Sequence, residues 1–301
     1  MGKLVGYISL LGVAILLSLS TYLFKNNLQI SAPKLEIEII LLGDVMLGRT
    51  VMLTAMEKDD PNYPFLKVAD ELQKADIVFA NLENPIVKDC PPDETKVSLI
   101  FCADPFMIQG LQYANINVVN LANNHSLNYG NNGLEQTKNY LQDGNIAHTG
   151  TGELTVKEVN DTAFGFLGFD KSQQIAPELT MVEAQLIKES DSKVDVLIVA
   201  MHWGVEYQDT GLPGQEKLAK ELIDFGADVV VGHHPHWVQN IEYIEGKPIY
   251  YSLGNFVFDQ MFSKEVRSGL AIKMHFKDGK LLNDEQLPIY MEEWAQPGWV
   301  R

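Results

Sequence analysis

Cysteine is nearly absent: Cys90 and Cys102 are the two in 301 residues, and they flank one short excursion, CPPDETKVSLIFC. That placement offers no Cys-His nucleophile, and the lack of any G-x-S-x-G segment removes the serine-hydrolase elbow. Glycine-rich phosphate loops are missing too, which removes the P-loop and dinucleotide-binding classes. Basic residues are scarce, with 23 Lys and Arg against 40 Asp and Glu for a formal charge of -17. A nucleic-acid partner wants a basic stripe, so none is expected, and adhesion to anionic lipid through charge is equally disfavoured. The acidic excess reads as a well-solvated surface. No internal repeat or low-complexity tract stands out, and a hydrophobic fraction of 46% belongs to a globular chain.

Long apolar runs are also few, and the exception is at the start. Leu4 to Phe24 carries no charge and lies between Lys3 and Lys25. A helix of that length reaches roughly 30 Å, about one hydrocarbon core. Its end, Thr21-Tyr22-Leu23-Phe24, is bulky where a cleaved signal would have small residues. The expectation is an uncleaved single-pass anchor over 1–25, a polar linker over 26–35 and one folded domain over 36–301. The domain is expected at the cell membrane on the extracytoplasmic side, although the flanking lysines alone set no orientation. Outside the cytoplasm Cys90 and Cys102 are expected to pair as a disulfide; the alternative is two free thiols.

From Glu36 the chain alternates strand-like and helix-like patterns, which predicts an α/β architecture. Apolar runs at Ile39–Leu42, Ile77–Ala80, Val118–Leu121, Val194–Met201 and Val229–Val231 read as buried strands. Helical spacing appears over Phe65–Leu72, Phe106–Tyr113, Leu134–Leu141 and Leu218–Phe225. The last third is strand-rich, with a hairpin signal at Lys277-Asp278-Gly279-Lys280. Asp44, Glu83, Asn124 with His125, His202, and the His233–His236 cluster each lie at or just past the end of one strand. In open α/β sheets ligands bind at that edge.

Taken singly these residues have plain structural alternatives: a turn at Asp44, turn-formers at Asn123-Asn124, a packed histidine at His202. Three imidazoles at His233, His234 and His236, directly after three valines, fit a packed core poorly and fit metal ligation well. Two carboxylates, one amide and three or four imidazoles form a mixed N/O shell. Such a shell suits one or two divalent ions (Mn, Zn or Fe) handling a phosphoryl centre.

Gly43-Asp44, Asn81-Leu82-Glu83, Asn123-Asn124-His125, His202-Trp203-Gly204, Gly232-His233-His234-Pro235-His236 and Tyr251-Ser252-Leu253-Gly254-Asn255-Phe256 occur in that order. Together they resemble the bacterial capsule-synthesis (CapA-type) proteins linked to poly-γ-glutamate, over about Glu36 to Tyr290. The resemblance implies a four-layer α/β/β/α sandwich like that of the calcineurin-like metallophosphoesterases. It implies metal ligation by Asp44, Glu83, Asn124, His202, His234 and His236, with His125 as the acid that protonates the leaving group. Arg49, His233 and Asn255 are expected to contact an anionic substrate, with a surface acid as the other partner open to Arg49. Two positions depart from the pattern: Met46 stands where those enzymes carry a histidine, and Glu83 where they carry a bridging aspartate. One metal shell is therefore a ligand short unless His233 or water fills it. Two functions follow. One is a metal-dependent hydrolase acting on a phosphoester or an anionic polymer. The other is a non-catalytic assembly or export component working with other subunits of a polyglutamate synthase.

Overall fold

The computed structural model describes residues 36–93 and 98–300. The expected anchor and linker lie outside the described residues; within them, no helix is long and apolar enough to cross a membrane.

Among the described residues, fourteen strands form two sheets. The first contains β1 (Ile37–Val45), β2 (Ile77–Leu82), β3 (Val118–Asn120), β4 (Ala147–Thr149), β11 (Asn255–Val257), β12 (Ser268–Lys277), β13 (Lys280–Glu293) and β14 (Gln296–Trp299). Its order is β14-β13-β12-β1-β2-β3-β4, with β11 pairing beside the end of β1. The second contains β5 (Thr155–Val159), β6 (Thr162–Asp170), β7 (Val196–His202), β8 (Val229–His233), β9 (Ile241–Ile244) and β10 (Lys247–Tyr250), in the order β5-β6-β7-β8-β10-β9. Strands β1 to β4 run parallel, as do β6, β7, β8 and β10; β12 and β13 form the hairpin that Asp278-Gly279 announced.

The period of two along each strand explains why the central runs are apolar without interruption. In β1, Ile37, Ile39 and Leu41 join Phe164, Phe166, Val196, Ile198 and Val231 in one cluster shared by both sheets. Ile40 and Leu42 face the other way. They pack with α1 (Arg49–Glu57), α2 (Ala69–Leu72), α3 (Ile108–Tyr113) and α4 (Gly130–Asp143) through Val51, Leu72, Leu111 and Leu141. Strand β7 divides likewise: Leu197, Val199 and Met201 pack with α5 (Met181–Asp191) and α6 (Pro213–Asp224) through Ile187, Leu218 and Leu222. Each sheet thus has one face on the other sheet and one face under helices. The short α7 (Lys264–Arg267) leads into β12.

The single helix expected over Phe65–Leu72 is instead a 3₁₀ turn, Tyr63–Phe65, followed by α2. Pro64 is the second residue of the turn, where its missing N–H costs nothing, and Phe65, Val68, Ala69 and Leu72 are still the buried set. Cys90 and Cys102 form the expected disulfide, with α-carbons 5.9 Å apart.

Candidate metal centre

The inward face of each parallel strand changes from apolar to polar at its carboxyl end. Ile77 and Phe79 give way to Asn81 and Glu83 in the β2 line, and Ile198 and Ala200 to His202 in β7. Val229 and Val231 give way to His233 in β8. In β1 a register shift between Leu41 and Asp44 breaks the period of two and turns Asp44 to the inward side, where β11 pairs alongside and sets Asn255 opposite it. The polar ends of both sheets therefore meet at one rim, over a dry core. Two glycines make the approach possible. A Cβ on Gly43 would strike the Gly254 carbonyl, and one on Gly232 would strike that of Tyr251.

Asp44, Glu83 and His202 are fully buried, and each offers a ligand atom within 4.8 Å of the others. His236 Nδ1 lies 3.3 Å from Asp44 Oδ2, and its Nε2 lies 3.7 Å from Glu83 Oε1. His202 Nε2 faces Asn124 Oδ1 at 2.9 Å, and the His202 and His234 rings are 4.8 Å apart. His234 and His236 both hold left-handed backbone, φ 96° and 57°. Strain of this kind persists where the surroundings demand it, commonly at ligand sites. The six proposed ligands are thus brought to one place, with His125 Nε2 3.9 Å from Glu83 Oε1.

Among the described residues, four buried polar atoms without hydrogen-bond partners lie here: Glu83 Oε1, His234 Nδ1 and both ring nitrogens of His233. Orphaned polar atoms at this depth are costly unless something else satisfies them. A cation does so for carboxylate and neutral imidazole together, and the donor set fits a divalent ion. The proton affinities agree. Burial pushes the Asp44 carboxyl up, but His233 and His236 outweigh it and hold it well below the usual range. Glu83 is pushed well above the usual range by burial and then by the charge of Asp44. Burial holds His202 well below the ordinary histidine value and brings His234 down to about 4, so both stand neutral, as ligands must. Against its own burial, His236 is raised to about 9 by Glu83 and Asp44.

The three expected substrate contacts are placed differently from the ligands. His233 is fully buried beneath the rim, its Nδ1 3.4 Å from Asp44 Oδ1. Asn255 is fully buried; its Oδ1 accepts from His236 Nδ1 at 2.9 Å while its Nδ2 donates to the Val266 carbonyl. Arg49 pairs with Asp259, a buried acid rather than a surface one, and donates to the Ser98 carbonyl at 2.8 Å. Met46 is buried in the helix-side core, its sulfur accepting the Gly48 N–H, so no imidazole fills that side. Asn81 escaped notice as a functional residue. Its Nδ2 approaches Asp44 Oδ1 at 2.9 Å, Glu83 Oε2 at 3.4 Å and His202 Nδ1 at 3.4 Å, and its oxygen accepts from Asn120 and Asn123. Its spacing of two from Glu83 was the available signal.

With this geometry in view, comparison with known proteins is decisive on family. The bacterial capsule synthesis protein family, PGA_cap, matches residues 38–260. The chain belongs to that family. It is 29% identical over 282 residues to the capsule biosynthesis protein CapA of Bacillus anthracis, covering 86% of this chain and 68% of that one. The PGA biosynthesis protein CapA of Bacillus subtilis is also 29% identical, over 279 residues, with 86% and 73% covered. In fold the chain is similar to a phosphatase from Mycoplasma pneumoniae, with a TM-score of 0.54 at 14% identity over 85% of this chain and 94% of that one. A 5'-nucleotidase, so described, from Staphylococcus aureus gives a TM-score of 0.52 at 14% identity, with 86% and 55% covered. The mixed α/β, two-sheet fold is thus that of phosphatases and nucleotidases.

Proposed function

We propose that this capsule-synthesis protein is a membrane-anchored, extracytoplasmic hydrolase of the metallophosphoesterase type. Its site holds at least one divalent ion (Mn, Zn or Fe) and acts on a phosphoester or an anionic polymer during poly-γ-glutamate capsule synthesis. The observation that carries the reading is the buried Asp44–Glu83–His202 group with orphaned polar atoms around it. Asp44, Glu83, Asn124, His202, His234 and His236 would hold the metal. A divalent ion there supplies Lewis-acid polarisation of a phosphoryl or carbonyl oxygen. Asn81 and Asn255 hold the carboxylates and His236 in place, and the stack of apolar residues beneath keeps water from the inner side. His125, on the open side of Glu83, donates the proton to the leaving oxygen.

Burial of Met46 where a further imidazole would serve a second ion favours the other reading, an assembly or export component that works with further subunits of the polyglutamate machinery. Metal content and hydrolysis of phosphoesters and polyglutamate by the purified protein separate the two. Asp44→Ala should lose metal and activity together. His125→Ala should keep the metal and lose rate by ~10²–10⁴. Metal bound without turnover of any probe in the wild type would leave the assembly reading standing.

A further inference from the structure

Building on His125 as the proton donor, we infer that Phe101 and Asn128 are positioning residues for it: Phe101 sets the ring plane and Asn128 fixes a proton on Nδ1. Phe101 precedes Cys102 and is buried, its ring stacked on His125 with centroids 4.0 Å apart and planes 22° apart. The Arg49 guanidinium lies 4.6 Å from the centroid of the same ring, and Phe258 meets it edge-on at 6.1 Å. The backbone on either side is tied down. Ala103 N–H donates to the Pro85 carbonyl, Val87 N–H donates to the Ala103 carbonyl, and the disulfide joins Cys102 to Cys90.

Asn128 Oδ1 accepts the Phe101 backbone N–H at 2.6 Å. An atom that receives an N–H is the amide oxygen, so the same atom cannot donate to His125 Nδ1, 3.1 Å away. His125 Nδ1 must therefore carry the hydrogen. That assignment leaves Nε2, 3.9 Å from Glu83 Oε1, as the nitrogen without a hydrogen that is turned toward the site. A free histidine side chain favours the opposite neutral tautomer, so Asn128 imposes a choice rather than following one. The His125 backbone N–H, donated to Asn123 Oδ1 at 3.1 Å, fixes the other end of the residue.

Long-range ¹H–¹⁵N spectra of the seven histidines in the full chain read the tautomer directly, whether or not the protein turns over an ester. Neutral His125 should show Nδ1–H in the wild type, Nε2–H or a mixture in Asn128→Leu, and Nδ1–H again in Asn128→Asp, which keeps an acceptor. The His125 ring protons should carry an upfield shift from Phe101 that Phe101→Ala removes and Phe101→Tyr retains. On the metal-loaded protein, Asn128→Leu and Phe101→Ala should slow glycerol phosphate, whose alkoxide needs a proton, about tenfold or more. Both should leave p-nitrophenyl phosphate, whose leaving group needs none, nearly unchanged. Equal losses on the two esters, or Nε2–H in the wild type, would overturn the inference. A tautomer that responds as stated in a protein that turns over neither ester supports the positioning and overturns only the hydrolase reading.

Discussion

Replacing Glu83 with Gln should separate the needs of the fold from those of the site. Glu83 is fully buried, its Oε1 has no hydrogen-bond partner, and its Oε2 accepts only a 3.4 Å contact from Asn81. Burial and the neighbouring Asp44 charge both oppose its ionised form. Glutamine keeps the shape and an oxygen for Asn81 and removes that opposition. Metal-free Glu83→Gln should therefore be as stable as wild type or more so. With metal present the order should reverse. An ion at 100 times its Kd stabilises the wild type by about 2.7 kcal/mol. At about 2–4 °C per kcal/mol for a domain of this size, that is a rise of about 5–11 °C in Tm. Glu83→Gln should lose most of that rise. Thermal denaturation of both proteins, after chelation and again with Mn²⁺, reads all four values. A metal-free variant destabilised by more than about 2 kcal/mol would show Glu83 to be structural, and an unchanged Mn²⁺ shift would remove it from the site; either result refutes the reasoning.

Four further outcomes are expected. Glu83 and His236 are both raised, His236 to about 9, so the pair keeps a proton at neutral pH. Calorimetry in buffers of different ionisation heat should find at least one proton released per ion bound at pH 7, with affinity falling as the pH falls. Because the His236 value lies above its unfolded one, its contribution to metal-free stability is complete below the ordinary 6.5 and is lost as pH rises through about 9, which urea unfolding across that range checks. Breaking the Cys90–Cys102 bond, which spans 12 positions, by Cys90→Ser with Cys102→Ser should cost about 3 kcal/mol in denaturant unfolding. Thr180→Ala should cost about 1 kcal/mol, because Thr180 caps α5 in a reciprocal box with Glu183.

Much of this site was legible because a strand buried on both faces must be apolar throughout, so the residue at which it turns polar is conspicuous. Asp44, Glu83, His202 and the His233 cluster were all found that way. The same period of two placed His233 on the inward face with Val229 and Val231, which is why it lies under the rim rather than open to a substrate. Pairings between distant segments were not legible. Arg49 finds Asp259 across 210 positions, and nothing local in Arg49-Thr50 marks that partner. Asn81, Asn120 and Asn123 form an amide network whose members each resemble an ordinary turn residue in sequence. Strands β5 and β6 also went unread, since β5 alternates partly exposed positions at a sheet edge and two glycines, Gly165 and Gly168, interrupt β6.

The central claim is that the Asp44–Glu83–His202 cluster is a divalent-cation site, and metal stoichiometry tests it most directly. Protein purified without chelator and titrated with Mn²⁺, Zn²⁺ or Fe²⁺ should hold at least one ion per chain by elemental analysis, and Asp44→Ala should hold none at that site. Wild-type protein that takes up no ion from any of the three, or an Asp44→Ala variant that binds as the wild type does, would contradict it.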